Sequence, residues 1–283
     1  MAKAGQNASF EREVQFSAER SLADRDARFS PGVGPGVPDR TAGVDLSAGH
    51  SSYSREVKHR NPAGLALSWR LLVKLYEFGP TRSIRVRWTL QELGVDFEAI
   101  SVDMTAGGHR KAEFLELNPA GKLPVLVDGD LVLNESAAIA LYLAEKYPDR
   151  GLMPSDLRQR AEVYRWSLFA VTELEQPVWR IARHTHLYPE HERLPADITL
   201  AKRDFVAMAA VLDNHMKGRA FVAGDRVTVA DFIVAYTLDM GDVVGLLEGV
   251  PSLQAYLERM YARPRAPRRI DEIFRDMKSA AEA

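Results

Sequence analysis

The sequence predicts an α/β domain followed by an all-α domain, with an extension before them that belongs to neither. Three observations carry that reading. Strand-length apolar runs alternate with helix-period segments between Leu71 and Tyr147. After Met153 the apolar residues recur only at helical spacing. Before residue 65 the chain has no Trp, no Ile and only two Leu, Leu22 and Leu46.

The extension follows from the last point. From Ser30 to Gly43, seven of fourteen residues are Gly or Pro. Such a stretch cannot bury enough apolar surface to offset its ordering entropy. Residues 1–68 are therefore expected to be disordered. Arg12, Arg20, Arg25 and Arg28 suggest a transit peptide, but Glu11, Glu13, Glu19, Asp24 and Asp26 lie among them, and transit peptides are poor in acids. Met1 is followed by no apolar core of a secretory signal.

The α/β domain is placed at 69–150. Leu71 to Tyr76 has strand length and is punctuated by Gly79-Pro80. A helix follows, with Ile84 and Trp88 on one row and Val86, Leu90 and Leu93 on the next, and Gly94 stands where a C-cap glycine belongs. Phe97 to Val102 is a second strand, parallel to the first because a helix connects them. After a turn at Gly107-Gly108 comes a short helix from Lys111 to Leu117, broken at Asn118-Pro119-Ala120-Gly121. Val125 to Leu133 reads as two strands joined by an Asp-Gly turn, a strong hairpin signal. A helix from Ser136 to Tyr147 ends at Pro148. This βαβαββα order is the thioredoxin-like arrangement. In the all-α domain, placed at 155–283, helices are expected over Arg158–His184, Ile198–Met216, Val229–Gly241, Ser252–Tyr261 and Ile270–Ala280.

Composition closes off several chemistries. The 283 residues are 46% hydrophobic and 27% charged, with 37 Lys+Arg against 39 Asp+Glu and a net charge of −2. That balance predicts neither a nucleic-acid nor an anionic membrane partner. The longest apolar runs fall far short of the ~20 residues that span a bilayer. There is no Cys, which excludes disulfides, thiolate metal sites and Cys nucleophiles. The seven His show no H-x-x-x-H or H-E-x-x-H spacing, so no metal is expected.

Three segments together resemble the glutathione S-transferase family: His109 to Pro124, Asn134 to Ile139, and Phe221 to Asp231. The likeness runs from about Leu72 to the C-terminus. It implies the two-domain fold of that family, of a bacterial serine- or threonine-like type rather than a cysteine type, with glutathione as co-substrate. It further implies a cytoplasmic enzyme acting as a homodimer on a small hydrophobic electrophile. Carried over residue by residue, it gives Leu123 backbone groups to glutathione's cysteinyl unit, with a cis Leu123–Pro124 bond. Glu135 would take the α-ammonium. Ser136, opening a helix whose N–H groups and dipole suit an anion, would take the glutamyl carboxylate. His109, Arg110 and Lys122 would form a cationic rim for the glycyl end.

The chemistry needs a thiolate, since a thiol of pKa ~8.5 is only a few per cent ionised at pH 7. Where the serine-type classes carry their Ser, this chain has Pro80, which has no donor. Thr81 and Ser83 are the nearest hydroxyls, with Thr81 first and Ser83 alternatively the helix N-cap; Arg82 would add positive field. Tyr76 matches the tyrosine-type position and is the competing candidate. Phe78, Phe169, Trp179, Arg180 and Arg183 are the expected second-substrate pocket, interdomain packing being the alternative. Thr228 and Asp231 form an S/T-x-x-D capping box, a structural device. The competing functions are a glutathione-dependent isomerase, dehalogenase or ether-cleaving enzyme of the same fold, and a non-catalytic glutathione-binding or stress-associated protein, which Pro80 favours.

Overall fold

The computed structural model describes residues 73–281; the expected extension, and Leu71 and Leu72 of the first strand, lie outside them. Strand β1 (Val73–Glu77) buries Val73 and Leu75 and exposes Lys74, the period-2 alternation of a strand. Helix α1 (Ser83–Leu93) returns the chain so that β2 (Phe97–Ser101) pairs parallel to β1, Val73 opposite Phe97. Gly94 ends α1 at φ 64°, and its N–H bonds back to Gln91. After a 3-10 turn (Gly108–Arg110) and α2 (Ala112–Leu117), β3 (Val125–Asp128) and β4 (Leu131–Asn134) form the expected hairpin. The sheet order is β2-β1-β3-β4.

Helix α3 (Ser136–Lys146) packs beside α1 over the Leu75–Leu126 face of the sheet. On the other face, Phe114 of α2 closes a smaller cluster with Leu123 and Val125. One end of the sheet gathers the candidate residues. Parallel pairing puts the C-terminal ends of β1 and β2 together, and the register Tyr76↔Val125↔Asn134 adds the start of β3 and the end of β4.

The rest is helical. The helix expected over 158–184 is α4 (Leu157–Phe169) and α5 (Glu175–Ala182), joined by a π turn at Ala170–Leu174. Pro177 supplies the reason. It has no N–H for the carbonyl of Glu173, and widening the preceding turn absorbs that gap without ending the helix. A second π turn (Arg183–Leu187) follows, then α6 (Pro195–Met216), α7 (Val229–Val243), α8 (Pro251–Tyr261) and α9 (Ile270–Ala281). Helix α7 is buried on almost every side and is the axis of this half.

Helix α1 joins the two halves. Trp88 stacks on Phe232 of α7 with ring centroids 5.2 Å apart and meets Tyr261 of α8 at 4.7 Å. Because α1 lies between the sheet and the helical half, its polar residues Ser83, Arg85 and Thr89 are buried too. Helix α9 crosses the turn after β1. A Cβ on Gly79 would come 3.3 Å from Ile273, close enough that Ile273 would have to shift by a few tenths of an ångström to admit it.

Candidate functional site

The site is built from loops at the shared end of the sheet. Between β1 and α1, Thr81 Oγ1 donates to the carbonyl of Phe78 at 2.7 Å and stands 2.8 Å from Ser83 Oγ. A hydroxyl has one proton, so with Thr81 donating to Phe78, Ser83 donates to Thr81. The Ser83 N–H also points at Thr81 Oγ1, at 3.3 Å. Thr81 is half-buried and Ser83 buried. Arg82 holds the N-cap position, so Ser83 is the first residue of α1 and not its cap. Tyr76 and Phe78 pack on the Phe114–Leu123–Val125 cluster, Tyr76 with its ring 6.3 Å from that of Phe114.

The Leu123–Pro124 peptide is cis. Its loop is braced by Asn118, whose amide donates to the carbonyl of Lys122 at 2.7 Å and whose Oδ1 accepts from Ala120 N–H at 3.2 Å. Asn118 is buried, a bracing role that its reading as a helix breaker missed. Gly121 (φ 59°) lies so close to the 3-10 turn that a Cβ there would be 3.0 Å from the carbonyl oxygen of His109 and 3.1 Å from Arg110 Nη1. That approach brings His109 and Arg110 beside Lys122; Arg110 and Lys122 are exposed. Burial, and then the charge of Arg110, hold the His109 imidazole below its ordinary pKa, favouring its neutral form.

Across the hairpin, α3 begins in an uncommon geometry. Glu135 has φ 67°, a left-handed value rare for a residue with a side chain, and no side chain caps the helix. Its first-turn N–H groups therefore face outward as donors. Ser136 is buried beneath them, and its Oγ accepts from Arg85 Nη1 at 3.2 Å.

Arg85 opens a network that spans the two halves. Its Nη2 donates to Thr237 Oγ1 of α7 at 2.6 Å and is ion-paired with Glu175 of α5. Arg82 pairs with the other oxygen of the same carboxylate. Burial alone would raise the Glu175 pKa, but Arg85 and Arg82 together hold it below its ordinary value. Two guanidinium groups to one carboxylate leave net positive charge between Thr81 and Ser136. The sequence gives no local signal for this cluster, since Glu175 and Thr237 lie 90 and 152 positions from Arg85.

Residues of the expected second-substrate pocket fall into different places. Glu175, Trp179 and Arg183 recur at helical spacing and form one face toward the start of α1. The Arg82 guanidinium lies 4.7 Å from the Trp179 ring centroid, and that of Arg183 5.5 Å. Phe78 packs in the cluster under the sheet. Arg180 turns instead to α6, where it pairs with Asp197 and, at 2.7 Å, with Asp204; those carboxylates raise its pKa further. Phe169 packs edge-on to Trp166 at 5.2 Å, against the core of the helical half. Of the five, Trp179 meets Arg82, and Arg183 lies near the same ring.

At the start of α7, Thr228 and Asp231 close the capping box. Asp231 accepts from Val222 N–H and Thr228 N–H, each at 2.8 Å, and from Tyr256 OH at 2.9 Å. Burial raises its carboxyl pKa against the pull of those donors.

Comparison with known proteins matches the same two halves. The family described as "Glutathione S-transferase, N-terminal domain" matches residues 72–145, and "Glutathione S-transferase, C-terminal domain" matches residues 181–264. Glutathione S-transferase 1 of Dianthus caryophyllus is 38% identical over 168 residues, covering 58% of this chain and 74% of the relative. Glutathione S-transferase 3 of Zea mays is 33% identical over 202 residues, covering 64% and 85%. Among solved structures, a glutathione S-transferase from Xylella fastidiosa superposes with a TM-score of 0.62 at 26% identity, over 72% of this chain and 98% of that one. A glutathione transferase family member from Pseudomonas fluorescens with two glutathione bound gives 0.63 at 25% identity, over 72% and 93%.

Proposed function

This chain belongs to the glutathione S-transferase family, and from that premise we propose that it binds glutathione, ionises its thiol and directs the thiolate at small hydrophobic electrophiles. Glutathione is the co-substrate. The single observation that carries the reading is the gathering of four groups at one sheet end. These are the turn at Leu123–Pro124, the uncapped α3 start with Ser136, the Thr81 hydroxyl and the His109-Arg110-Lys122 rim.

Each group has a task suited to its chemistry. The backbone of Leu123 pairs with the cysteinyl unit as an added strand would. The first turn of α3 and the Ser136 hydroxyl hold the glutamyl carboxylate, and Glu135, exposed, pairs with the ammonium. Arg110 and Lys122 attract the glycyl carboxylate by charge, and His109 meets it as a neutral hydrogen-bonding group. As the thiol proton leaves to solvent, the Thr81 hydroxyl turns from the Phe78 carbonyl to donate a hydrogen bond to the thiolate, and Arg82 adds positive field. Lowering a thiol pKa by two units takes ~2.7 kcal/mol of preference for the anion, within reach of a charge-assisted hydrogen bond and a helix terminus together. Trp179 and Arg183 flank the electrophile; Phe78, Phe169 and Arg180 contribute through packing.

The protein is proposed to act in the cytoplasm as a homodimer. Leu157 and Leu168, three helical turns apart and exposed on α4, offer apolar surface for such an interface. Among the described residues no helix is long and apolar enough to cross a membrane.

A second reading, a glutathione-binding protein without catalysis, has Pro80 and the engagement of the Thr81 proton by Phe78 in its favour. Titration with glutathione, following thiolate absorbance against pH, separates the two. The catalytic reading expects the bound thiol to ionise about two pH units below the free one, and Thr81→Ala to abolish most of that shift while Ser83→Ala and Tyr76→Phe keep it. Tight binding with an unshifted thiol would establish the second reading.

A further inference from the structure

The buried Arg85 lies outside every motif so far described, and its bonds define what Ser136 can do. We propose that Arg85 is a positioning residue for the glutamyl-carboxylate subsite, held by the helical half so that the Ser136 hydroxyl is presented outward as a donor. The inference rests on the function proposed above and names how that site is set.

The hydrogen-bond geometry carries the argument. Arg85 is 1% exposed and Ser136 4%. A guanidinium donates only, so its bond at 3.2 Å makes Ser136 Oγ an acceptor and leaves the single hydroxyl proton for another partner. Among the described residues no acceptor takes that proton. A hydroxyl without Arg85 could turn its proton inward; with it, the proton is directed toward the mouth of α3. A carboxylate arriving there meets an oriented O–H as well as the first-turn N–H groups.

What fixes Arg85 comes from the other half of the protein. Glu175 and Thr237 both receive its Nη2, and its guanidinium lies 4.8 Å from the ring centroid of Tyr236. Thr237 gives its own proton to the Ile233 carbonyl at 2.8 Å, so its oxygen is free to accept. Three contacts from α5 and α7 thus set the angle at which Arg85 reaches Ser136. The helical half therefore helps determine affinity for the tripeptide, a task assigned from sequence to the α/β half alone.

The test is a mutant cycle read by calorimetry with glutathione and with its decarboxylated analogue, γ-aminobutyryl-cysteinyl-glycine, which lacks the glutamyl carboxylate. Arg85→Lys keeps the charge beside Glu175 but gives up the fork that also reaches Ser136. It is expected to raise the Kd for glutathione roughly tenfold, and KM more than it lowers kcat, with no change for the analogue. In a Ser136→Ala background the same substitution is expected to change the Kd for glutathione less than twofold. An equal loss for both ligands, or an undiminished loss in the Ser136→Ala background, would overturn the proposal.

Thr237→Val leaves Arg85 and its ion pair in place and serves if Arg85→Lys loses its cooperative melt. It is expected to weaken glutathione about threefold and to spare the analogue. A folded Thr237→Val protein that binds both ligands like wild type overturns the proposal. If the wild-type protein fails to bind glutathione at all, the proposed function fails first, and the cycle has no signal to read.

Discussion

Two helix starts in this protein use the same residue types to opposite ends. At α7, the hydroxyl of Thr228 and the carboxylate of Asp231 close on each other, on Val222 and on Tyr256, all buried. At α3, Glu135 lies outside with φ 67°, and Ser136 accepts a bond from Arg85 beneath it. The α7 start has saturated its donors and gives stability. The α3 start carries no side-chain cap, and it is the end proposed to receive an anion. A carboxylate and a hydroxyl at a helix start do not reveal which task they perform; the partners beneath them decide.

The largest effect expected from breaking this contrast is at the closed end. Asp231→Ala strands the N–H groups of Val222 and Thr228 and the hydroxyl of Tyr256 in the interior. It should lower the unfolding free energy by ~3–5 kcal/mol, read from urea denaturation. A loss below ~1 kcal/mol would mean that water replaces the carboxylate and that the end is not closed.

Next comes Glu175, which lies under the open end. Glu175→Gln leaves Arg82 and Arg85 facing a neutral amide, and about 3 kcal/mol of stability should be lost near neutral pH. The sign of the pH dependence follows from its depressed pKa. A carboxyl lowered on folding contributes its full stability above its ordinary value of 4.5 and loses it as the pH falls through the folded value. The gap between wild type and Glu175→Gln should therefore narrow on acidification below about pH 4.5, as followed by unfolding at a series of pH values. A gap of constant size would show that the ion pairs are not its source.

At the open end itself the expected effects on folding are smaller, and binding changes with them. Ser136→Ala should raise the Kd for glutathione about tenfold, and because it strands one Arg85 donor it should cost ~1–2 kcal/mol of stability, less than Asp231→Ala. Glu135→Gly relieves a backbone conformation that costs about 1 kcal/mol or more, partly offset by the entropy of glycine. A gain of ~0.5–1 kcal/mol in stability with weaker glutathione binding is expected, and a loss of stability would mean that φ 67° carries no strain here.

Much of this was legible from residue order. Strand alternation at Val73 and Leu75, the Asp-Gly hairpin, Gly94 at the end of α1 and the Thr228–Asp231 box are all local, and the described elements follow them within a few residues. The Pro177 π turn was also written locally, but the helical period on both sides hid it. Placement of long side chains was not legible. Arg180, near the end of α5, and Arg183, at the start of the π turn that continues it, carry the same charge three residues apart. Only the position of Asp197 and Asp204 on α6 sends one away while the other stays over Trp179.

By itself, the sequence determined the order of elements, the two halves, the family and the segments that meet at one sheet end. Those follow from short-range periodicity, turn chemistry and motifs a dozen residues long. Only the tertiary structure decided that α1 would be buried between the sheet and the helical half, that Arg85 would reach Ser136, and that Glu175 and Thr237 would hold it there. Such contacts join residues as much as 152 positions apart, and no local pattern encodes a distance that exists only after the halves have packed.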